Sequence, residues 1–133
     1  MVCSAEAQRE LAAALGLKTT SVSTPTWVDD TYSCRYQYGD GAFRLSVKEL
    51  SNWPQTFAYF RGLGGQFGRT RSFENLGQGA FSETDGSVVV RKDWKVLTVD
   101  ITGLPSQFGV PPTSSADIAV TVADVILGCW AGD

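Results

Sequence analysis

One stretch of the chain, residues 76–102, limits the possible folds more than any other, because it contains three short strand signals in succession. The strands are predicted at residues 80–83, 87–92 and 96–102, with tight turns at Thr84-Asp85-Gly86 and Asp93-Trp94. Asp-Gly tolerates positive φ at little cost, and the run of three valines in the second strand favours extended structure. Adjacent strands joined by tight turns predict an antiparallel meander.

The third strand of this stretch alternates apolar and mixed side chains, which is typical of a strand with one buried face. One face carries Leu97, Val99 and Ile101, and the other carries Val96, Thr98, Asp100 and Thr102. We expect the apolar face to pack on the last helix of the chain, because these two elements have the strongest apolar stripes. The mixed face could meet solvent or form the floor of a shallow pocket, and solvent exposure is the favoured interpretation.

The remaining segments complete a predicted α+β fold. The pattern predicts an Ala-rich helix over residues 5–15, a hairpin over residues 32–50, a second helix from Trp53 and a last helix from Ser114 or Ser115. Residues 18–31 are predicted to form a loop or an irregular edge strand. The expected architecture is an antiparallel sheet of about five strands, the hairpin plus the three-stranded meander, packed with N-terminal, middle and C-terminal helices. We expect residues 1–133 to form a single domain.

Composition and charge exclude several classes of function. The net charge is −3 and no run of Lys or Arg is present, so the chain lacks the basic patch that nucleic-acid binding requires. No stretch of about 18 apolar residues is present, and we expect no membrane span. The sequence contains no His, which excludes Ser-His-Asp and Cys-His catalysis and imidazole metal ligands. We therefore expect no catalytic residue, no metal and no cofactor.

The three cysteines, Cys3, Cys34 and Cys129, are too widely spaced for a typical thiolate metal site. One disulfide with one remaining thiol is the simplest arrangement, and it indicates a compartment outside the reducing cytosol. The alternative is three buried thiols in a cytosolic protein. Cys3–Cys34 is the favoured pair, because Cys34 lies on the inward face of a strand and Cys3 precedes a helix that must dock on that sheet. Cys34–Cys129 is the rival pair, and in the favoured arrangement Cys129 is a free, buried thiol next to Trp130.

Several aromatic residues have two interpretations, core packing and ligand contact. The tyrosines Tyr32, Tyr36 and Tyr38 lie on one face of the hairpin, and a core edge is favoured over a carbohydrate platform. Trp27 lies in a polar segment, where it could close the core or line a groove. Core closure is the favoured interpretation of Trp27.

The second helix is followed by a segment that is rich in glycine and arginine. Trp53, Phe57 and Phe60 occur at helical spacing and are expected in the core. Four glycines then predict a flexible loop over residues 61–73, with residues 62–71 the most mobile. This loop could contact an anionic partner, although an ordinary solvated loop is favoured. The candidate ligand-binding residues are Trp27, Arg61, Phe67, Arg69 and Arg71.

Four short motifs share their pattern with a known group of proteins. They are a Cys opening an Ala-rich helix that ends in Leu-Gly (residues 3–16), a Cys before aromatic residues in the next strand (Cys34, Tyr36), Asn75-Leu76-Gly77 with Gly79-Ala80-Phe81, and the Val-Val-Val-Arg-Lys-Asp stretch within residues 88–101. With these motifs the chain resembles actinobacterial secreted lipoproteins, a group that includes the PknH-like extracellular sensor domains of Ser/Thr kinases. The resemblance implies a two-layer α+β fold outside the cytoplasmic membrane and a binding or sensing role. It implies no site residues.

Three functional hypotheses follow. The leading one is a non-catalytic extracytoplasmic domain of a secreted or lipid-anchored protein, monomeric, that binds or senses a small molecule or a component of the cell envelope. We expect that any signal peptide, lipid anchor or linker has been removed or was never present. The alternative is a small α+β enzyme that uses a carboxylate or a Tyr for acid–base chemistry, and Asp100 is the only carboxylate in the middle of a strong strand. The third is a purely structural or interaction protein.

Overall fold

The computed structural model of the protein describes residues 3–67, 69–73 and 76–131. The helices in this part of the chain are α1 (Ala5–Leu15), α2 (Trp53–Phe67) and α3 (Ser115–Ala131). The strands are β1 (Ser21–Val22), β2 (Thr26–Val28), β3 (Thr31–Tyr38), β4 (Gly41–Glu49), β5 (Arg69–Phe73), β6 (Gly79–Glu83), β7 (Val88–Lys92), β8 (Lys95–Asp100), β9 (Gln107–Phe108) and β10 (Thr113–Ser114). The fold is α+β, as predicted.

The main sheet has eight strands, which pair antiparallel in the order β1-β3-β4-β8-β7-β6-β5, with β2 paired to β3 beside this path. The five predicted strands correspond to β3, β4, β6, β7 and β8, so the hairpin and the meander are confirmed. The sheet is larger than predicted because short edge strands extend it. β1 and β2 come from the polar segment 18–31, and β5 comes from the segment predicted as a flexible loop.

The turns of the meander contain residues suited to their backbone conformation. Between β6 and β7, Gly86 has a φ of 94°, and the Asp85 carboxylate accepts a hydrogen bond from the Ser87 amide at 2.8 Å. Between β7 and β8, Asp93 adopts the left-handed region with a φ of 55°. Such turns hold neighbouring strands in register, and the register decides which side chains share a face of the sheet.

The larger hydrophobic core lies between the sheet and a layer formed by α1 and α3. Leu97 and Val99 of β8 have 0% exposure, and Ile101 has 3%. The α3 residues in the same cluster are Ile118, Ala119, Val122, Ala123, Ile126 and Leu127. The expected packing of the apolar face of β8 on the last helix is therefore confirmed.

The tyrosines of β3 belong to this core. Tyr36 and Tyr38 are almost completely buried, and the Tyr36 ring stacks on Phe43 with 5.0 Å between ring centroids. The Tyr38 ring meets Phe108 edge to face at 4.9 Å. The core interpretation is therefore confirmed for Tyr36 and Tyr38. Because these two rings are buried, they cannot form a platform for a carbohydrate.

The opposite face of the sheet is covered in part by α2. Phe60 packs there with Phe81, Val89 and Val96 in a second, smaller cluster. Val96 is 1% exposed, so the expectation that its face meets solvent is wrong at this position. The reason is that α2 lies over β6, β7 and β8, and the alternation within a single strand does not reveal this cover.

Residues 61–73 do not form the loop that their glycines predict. α2 continues to Phe67, and β5 follows and pairs with β6; Gly68 lies outside the described residues. Glycine disfavours a helix interior by about 1 kcal/mol per residue. Tertiary packing outweighs this local preference, because α2 is docked on the sheet through Thr56 and Phe60.

A disulfide joins Cys3, just before α1, to Cys34 in β3, with Cα atoms 6.1 Å apart. The favoured pairing is thus confirmed. The bridge attaches α1 to the sheet on the side of the larger core, where both cysteines are buried. The predicted free thiol of Cys129 and its contact with Trp130 lie outside the described side chains.

Replacing Val99 by Asp is expected to prevent folding, because the new carboxylate would be buried without a partner. An uncompensated buried charge costs about 3–5 kcal/mol, which is a large part of the stability of a typical domain. Thermal melting followed by circular dichroism measures the effect. The matched control is Val28→Asp, at a strand position that is 63% exposed, which should fold. A Val99→Asp variant with the wild-type melting temperature would contradict the core assignment.

Removing the disulfide by the paired change Cys3→Ala and Cys34→Ala is expected to lower the free energy of unfolding by about 3–4 kcal/mol. The reason is that the bridge links residues separated by 31 positions and restricts the unfolded chain. Urea unfolding of the oxidised wild type and of the variant measures the difference. A peptide map of unreduced protein in which Cys129 is cross-linked to either partner would refute the pairing.

Candidate functional site

The outer side of α2 carries large aromatic side chains that the fold leaves exposed. Trp53 is 48% exposed and Phe57 is 38% exposed, whereas Phe60 is buried. The expectation that all three residues lie in the core is therefore wrong for Trp53 and Phe57. The residues of α2 that face the sheet are Thr56, Phe60 and Leu63, a stripe rotated around the helix from the predicted one.

Capping hydrogen bonds determine where α2 begins. The Asn52 side-chain oxygen accepts a hydrogen bond from the Gln55 amide at 3.0 Å, as expected of an N-cap residue. The Thr56 hydroxyl donates to the Asn52 carbonyl at 2.7 Å, and this bond allows a polar residue to face the sheet. With this start, Trp53 and Phe57 lie on one side of the helix with their ring centroids 5.1 Å apart.

Arg91 of β7 lies against Trp53. Its guanidinium carbon is 4.4 Å from the centre of the Trp53 ring, within the range of a cation–π interaction. The terminal nitrogens of Arg91 donate hydrogen bonds to the side-chain oxygen and the backbone carbonyl of Gln78. The same side-chain oxygen accepts a hydrogen bond from the Asp93 amide at 2.8 Å. Gln78 therefore holds the guanidinium of Arg91 in a defined orientation.

Burial also affects the electrostatics of Arg91. It lowers the pKa of the guanidinium below its ordinary value. The Nε atom is buried and has no hydrogen-bond partner among the described residues. An arginine keeps its charge at neutral pH, so Arg91 contributes a fixed, partly desolvated cation to this surface.

Arg61 adds a second guanidinium one turn after Phe57. Its guanidinium carbon lies 5.3 Å from the centre of the Phe57 ring. Within the described part of the chain, the observed ion pair joins Lys95 to Glu49, so neither Arg61 nor Arg91 is paired with a described carboxylate. We refer to Trp53, Phe57, Arg61 and Arg91 as the aromatic–guanidinium cluster.

An open pocket of about 410 Å³ lies beside this cluster. Its lining residues are Phe57, Phe60, Arg61, Gly64 and Gly65. Two aromatic rings and two glycines make most of the lining apolar, and Arg61 supplies the charge. The volume and the combination of apolar surface with one polar group are typical of sites for small molecules.

A buried carboxyl group, that of Glu83, lies at the end of β6. Glu83 is 8% exposed, and burial raises the pKa of its carboxyl to about 7, with further contributions from the negative charges of Asp85 and Asp100. Asp100 accepts hydrogen bonds from the amide and the hydroxyl of Thr102, at 2.9 and 2.6 Å. Asp100 also lines a cavity of about 180 Å³, but Glu83 does not.

The predicted acid–base role for a Tyr or for Asp100 finds little geometric basis in the described residues. Burial raises the pKa of Tyr38 to about 12 and also raises the pKa of Tyr59, which makes both phenols weaker acids at neutral pH. Among the described residues, His, Cys, Asp and Glu do not form a group of three or more that could hold a metal ion. Glu83, which the sequence reasoning missed, is the described carboxyl best suited to proton transfer at neutral pH.

Of the residues predicted to bind a ligand, Arg61 lies in the cluster. Trp27 lies on β2, paired with Tyr32 of β3, whereas α2 lies over β6, β7 and β8 in the other half of the sheet. Trp27 is 54% exposed, so its interpretation as a core cap is wrong. The physical reason is that β2 is a three-residue edge strand with all its residues exposed. The side chains of Phe67, Arg69 and Arg71 lie outside the described part of the chain.

Trp53, Phe57 and Arg91 are members of the cluster that were not predicted as site residues. The spacing of Trp53, Phe57 and Arg61 is one signal that could have found two of them, since residues four apart share a helix face. Arg91 comes from a strand 30 positions beyond Arg61 in the numbering, and only the fold brings it to Trp53.

Comparisons of the chain with known protein families, with curated proteins and with solved structures find no match. A fold alone does not determine a function, because one architecture hosts many unrelated activities. The basis for a functional proposal is therefore the geometry of the cluster and its pocket.

The raised pKa of Glu83 predicts a pH-dependent effect of Glu83→Gln. With a pKa of about 7 in the folded chain and 4.5 as the ordinary value, the carboxyl contributes its full stability below about pH 4.5 and loses it as the pH rises through 7. The Gln variant cannot ionise, so its stability relative to the wild type is expected to be higher at pH 8 than at pH 4. Thermal melting at both pH values measures this. An equal difference in melting temperature at the two pH values would contradict the raised pKa.

Proposed function

We propose that this protein is a non-catalytic extracytoplasmic domain that binds a ligand at the aromatic–guanidinium cluster and its pocket. The observation that carries the proposal is the exposure of Trp53 and Phe57 beside two guanidinium groups that have no described carboxylate partner. Folding by itself favours burial of aromatic rings, and surface cations usually meet counter-charges or water. Aromatic residues and arginine together on a concave surface are typical of binding sites.

The energetics of the exposed rings support a binding role. Burying a large apolar side chain stabilises a protein by about 1.5–3 kcal/mol relative to leaving it exposed. Trp53 and Phe57 forgo much of this stabilisation in the free protein, and a ligand that covers them would recover it. Gln78 and Trp53 orient the Arg91 guanidinium before any ligand arrives, which reduces the entropy lost on binding.

The extracytoplasmic location is supported by the Cys3–Cys34 disulfide, since structural disulfides persist mainly in oxidising compartments. Helices long and apolar enough to cross a membrane are not found in the described residues. The resemblance to actinobacterial secreted lipoproteins and sensor domains is consistent with this location and suggests attachment to the cell envelope. These features support a location; the exposed cluster supports the binding role.

A small acid–base enzyme is the second candidate, and the raised pKa of Glu83 is the observation that favours it. Glu83 does not line the cavity that Asp100 lines, so that cavity does not bring the two carboxyl groups together on one substrate. The binding proposal has the better geometric support, because Phe57 and Arg61 line one pocket and contact each other, and Trp53 joins Phe57 to Arg91 beside it.

The proposal predicts a ligand-dependent rise in melting temperature that requires Trp53. A specific ligand stabilises the folded state by mass action, by about 2.7 kcal/mol when its concentration is 100 times the Kd. A thermal-shift screen of metabolite and envelope-component collections should give hits with the wild type that are lost with Trp53→Ala. The matched control is Trp27→Ala, at a tryptophan of similar exposure on an edge strand in the other half of the sheet, which should keep the hits. Hits that persist in Trp53→Ala would place binding elsewhere and refute the proposed site.

A further inference from the structure

Two glycines of α2, Gly62 and Gly65, are not explained by the fold. Gly62, Gly64 and Gly65 lie in the interior of the helix, where glycine is the least favourable residue after proline. Neither Gly62 nor Gly65 has a positive φ, and a Cβ atom added at either position would meet no atom within 4 Å. Backbone conformation and close packing, the usual reasons for glycine in a helix, therefore do not apply at these two positions.

One consequence of these glycines is a pocket with an aromatic lining. Gly64 and Gly65 line the pocket together with Phe57 and Phe60, whereas Gly62 does not line it. A side chain at Gly65 would project into open space beside the rings. The missing side chain therefore leaves room for an apolar group to lie against Phe57 and Phe60.

The charge at this pocket is positive. Arg61 lines it, is exposed, and stacks on Phe57, which leaves the guanidinium edge free to donate hydrogen bonds. No described carboxylate is paired with Arg61. A guanidinium in this situation matches a carboxylate, phosphate or sulfate, which it can bind through two parallel hydrogen bonds. An inorganic anion alone would leave the aromatic lining uncovered.

We propose that the pocket binds an amphiphilic anion. Its apolar part lies against Phe57 and Phe60 in the space left by Gly65, and its acidic group accepts hydrogen bonds from Arg61. This inference rests on the proposed function and names the ligand class of that site. A membrane phospholipid and a free amphiphile share this chemistry and are separated by the experiment.

The first test measures binding of decanoate, decyl phosphate and decyl sulfate, below the concentrations at which they form micelles, by isothermal titration calorimetry. We expect at least one of them to bind the wild type, and Arg61→Gln to weaken that binding about tenfold or more, because the charge-assisted hydrogen bonds are lost. Decanol, which has the same chain without a charge, and inorganic phosphate should each bind about tenfold more weakly or worse. Equal binding of decanol and decanoate would overturn the assigned charge, and binding of none of the three anions would overturn the ligand class.

The second test uses the glycines, because one lines the pocket and one does not. Gly65→Leu is expected to weaken binding of the same amphiphile about tenfold or more, whereas Gly62→Leu should leave it unchanged. Leucine favours a helix over glycine, so neither variant should lower the melting temperature, and lost binding in Gly65→Leu cannot then be attributed to unfolding. Wild-type affinity in Gly65→Leu would overturn the placement of the apolar part.

Vesicles identify the source of the amphiphile. Co-sedimentation with phosphatidylglycerol vesicles that is lost in Arg61→Gln and is absent with phosphatidylcholine vesicles would support a membrane lipid. Binding of a decyl anion without vesicle binding would support a free amphiphile. If the three anions fail but a neutral or cationic hit of the thermal-shift screen depends on Trp53, the ligand class is wrong and the proposed function stands. If none of the three anions binds and the screen yields no ligand that depends on Trp53, both proposals are wrong.

Discussion

The pairing of β4 with β8 is the interaction on which the rest of the structure depends, because it joins the N-terminal hairpin to the meander. Its register sets Leu45 opposite Val99 and Val47 opposite Leu97, which builds a continuous apolar surface for α1 and α3. A slip of one residue would turn every one of these side chains to the other face. The same register sets the outer face on which α2 lies, so the position of the candidate site also follows from this pairing.

Much of the fold could be predicted from the sequence, because its strongest signals are local. The alternation of residues 96–102, the Asp-Gly turn and the capped helices each act over a few positions, and the structure bears them out. The Cys3–Cys34 pair could be favoured because strand direction and helix order limit which cysteines meet. The edge strands could be predicted only in part. An irregular edge strand was one alternative for residues 18–31, whereas β5 follows a glycine-rich segment that predicts a loop. β1, β2 and β5 are short, and their pairing depends on neighbours distant in sequence.

Of the candidate site, only Arg61 was predicted as a site residue. Trp53, Phe57 and Phe60 form an apolar pattern that fits a core stripe, and the pattern does not show that the helix turns its Thr56 side toward the sheet. A buried threonine that satisfies its hydroxyl within the helix allows this rotation. Arg91 and Gln78 lie on other elements, and their relation to Trp53 is a property of the assembled sheet.

The unequal size of the two hydrophobic clusters has a consequence for how the domain could report a bound ligand. Among the described residues, α1 and α3 share a large cluster, while α2 is held by the small one around Phe60 and Phe81. We therefore expect α2 to open locally at a lower free energy than global unfolding requires. A molecule that binds only the docked helix shifts this local equilibrium while the sheet stays intact. Ligand binding would thus increase the fraction of molecules in which α2 is docked, and a neighbouring protein that contacts α2 could respond to that change.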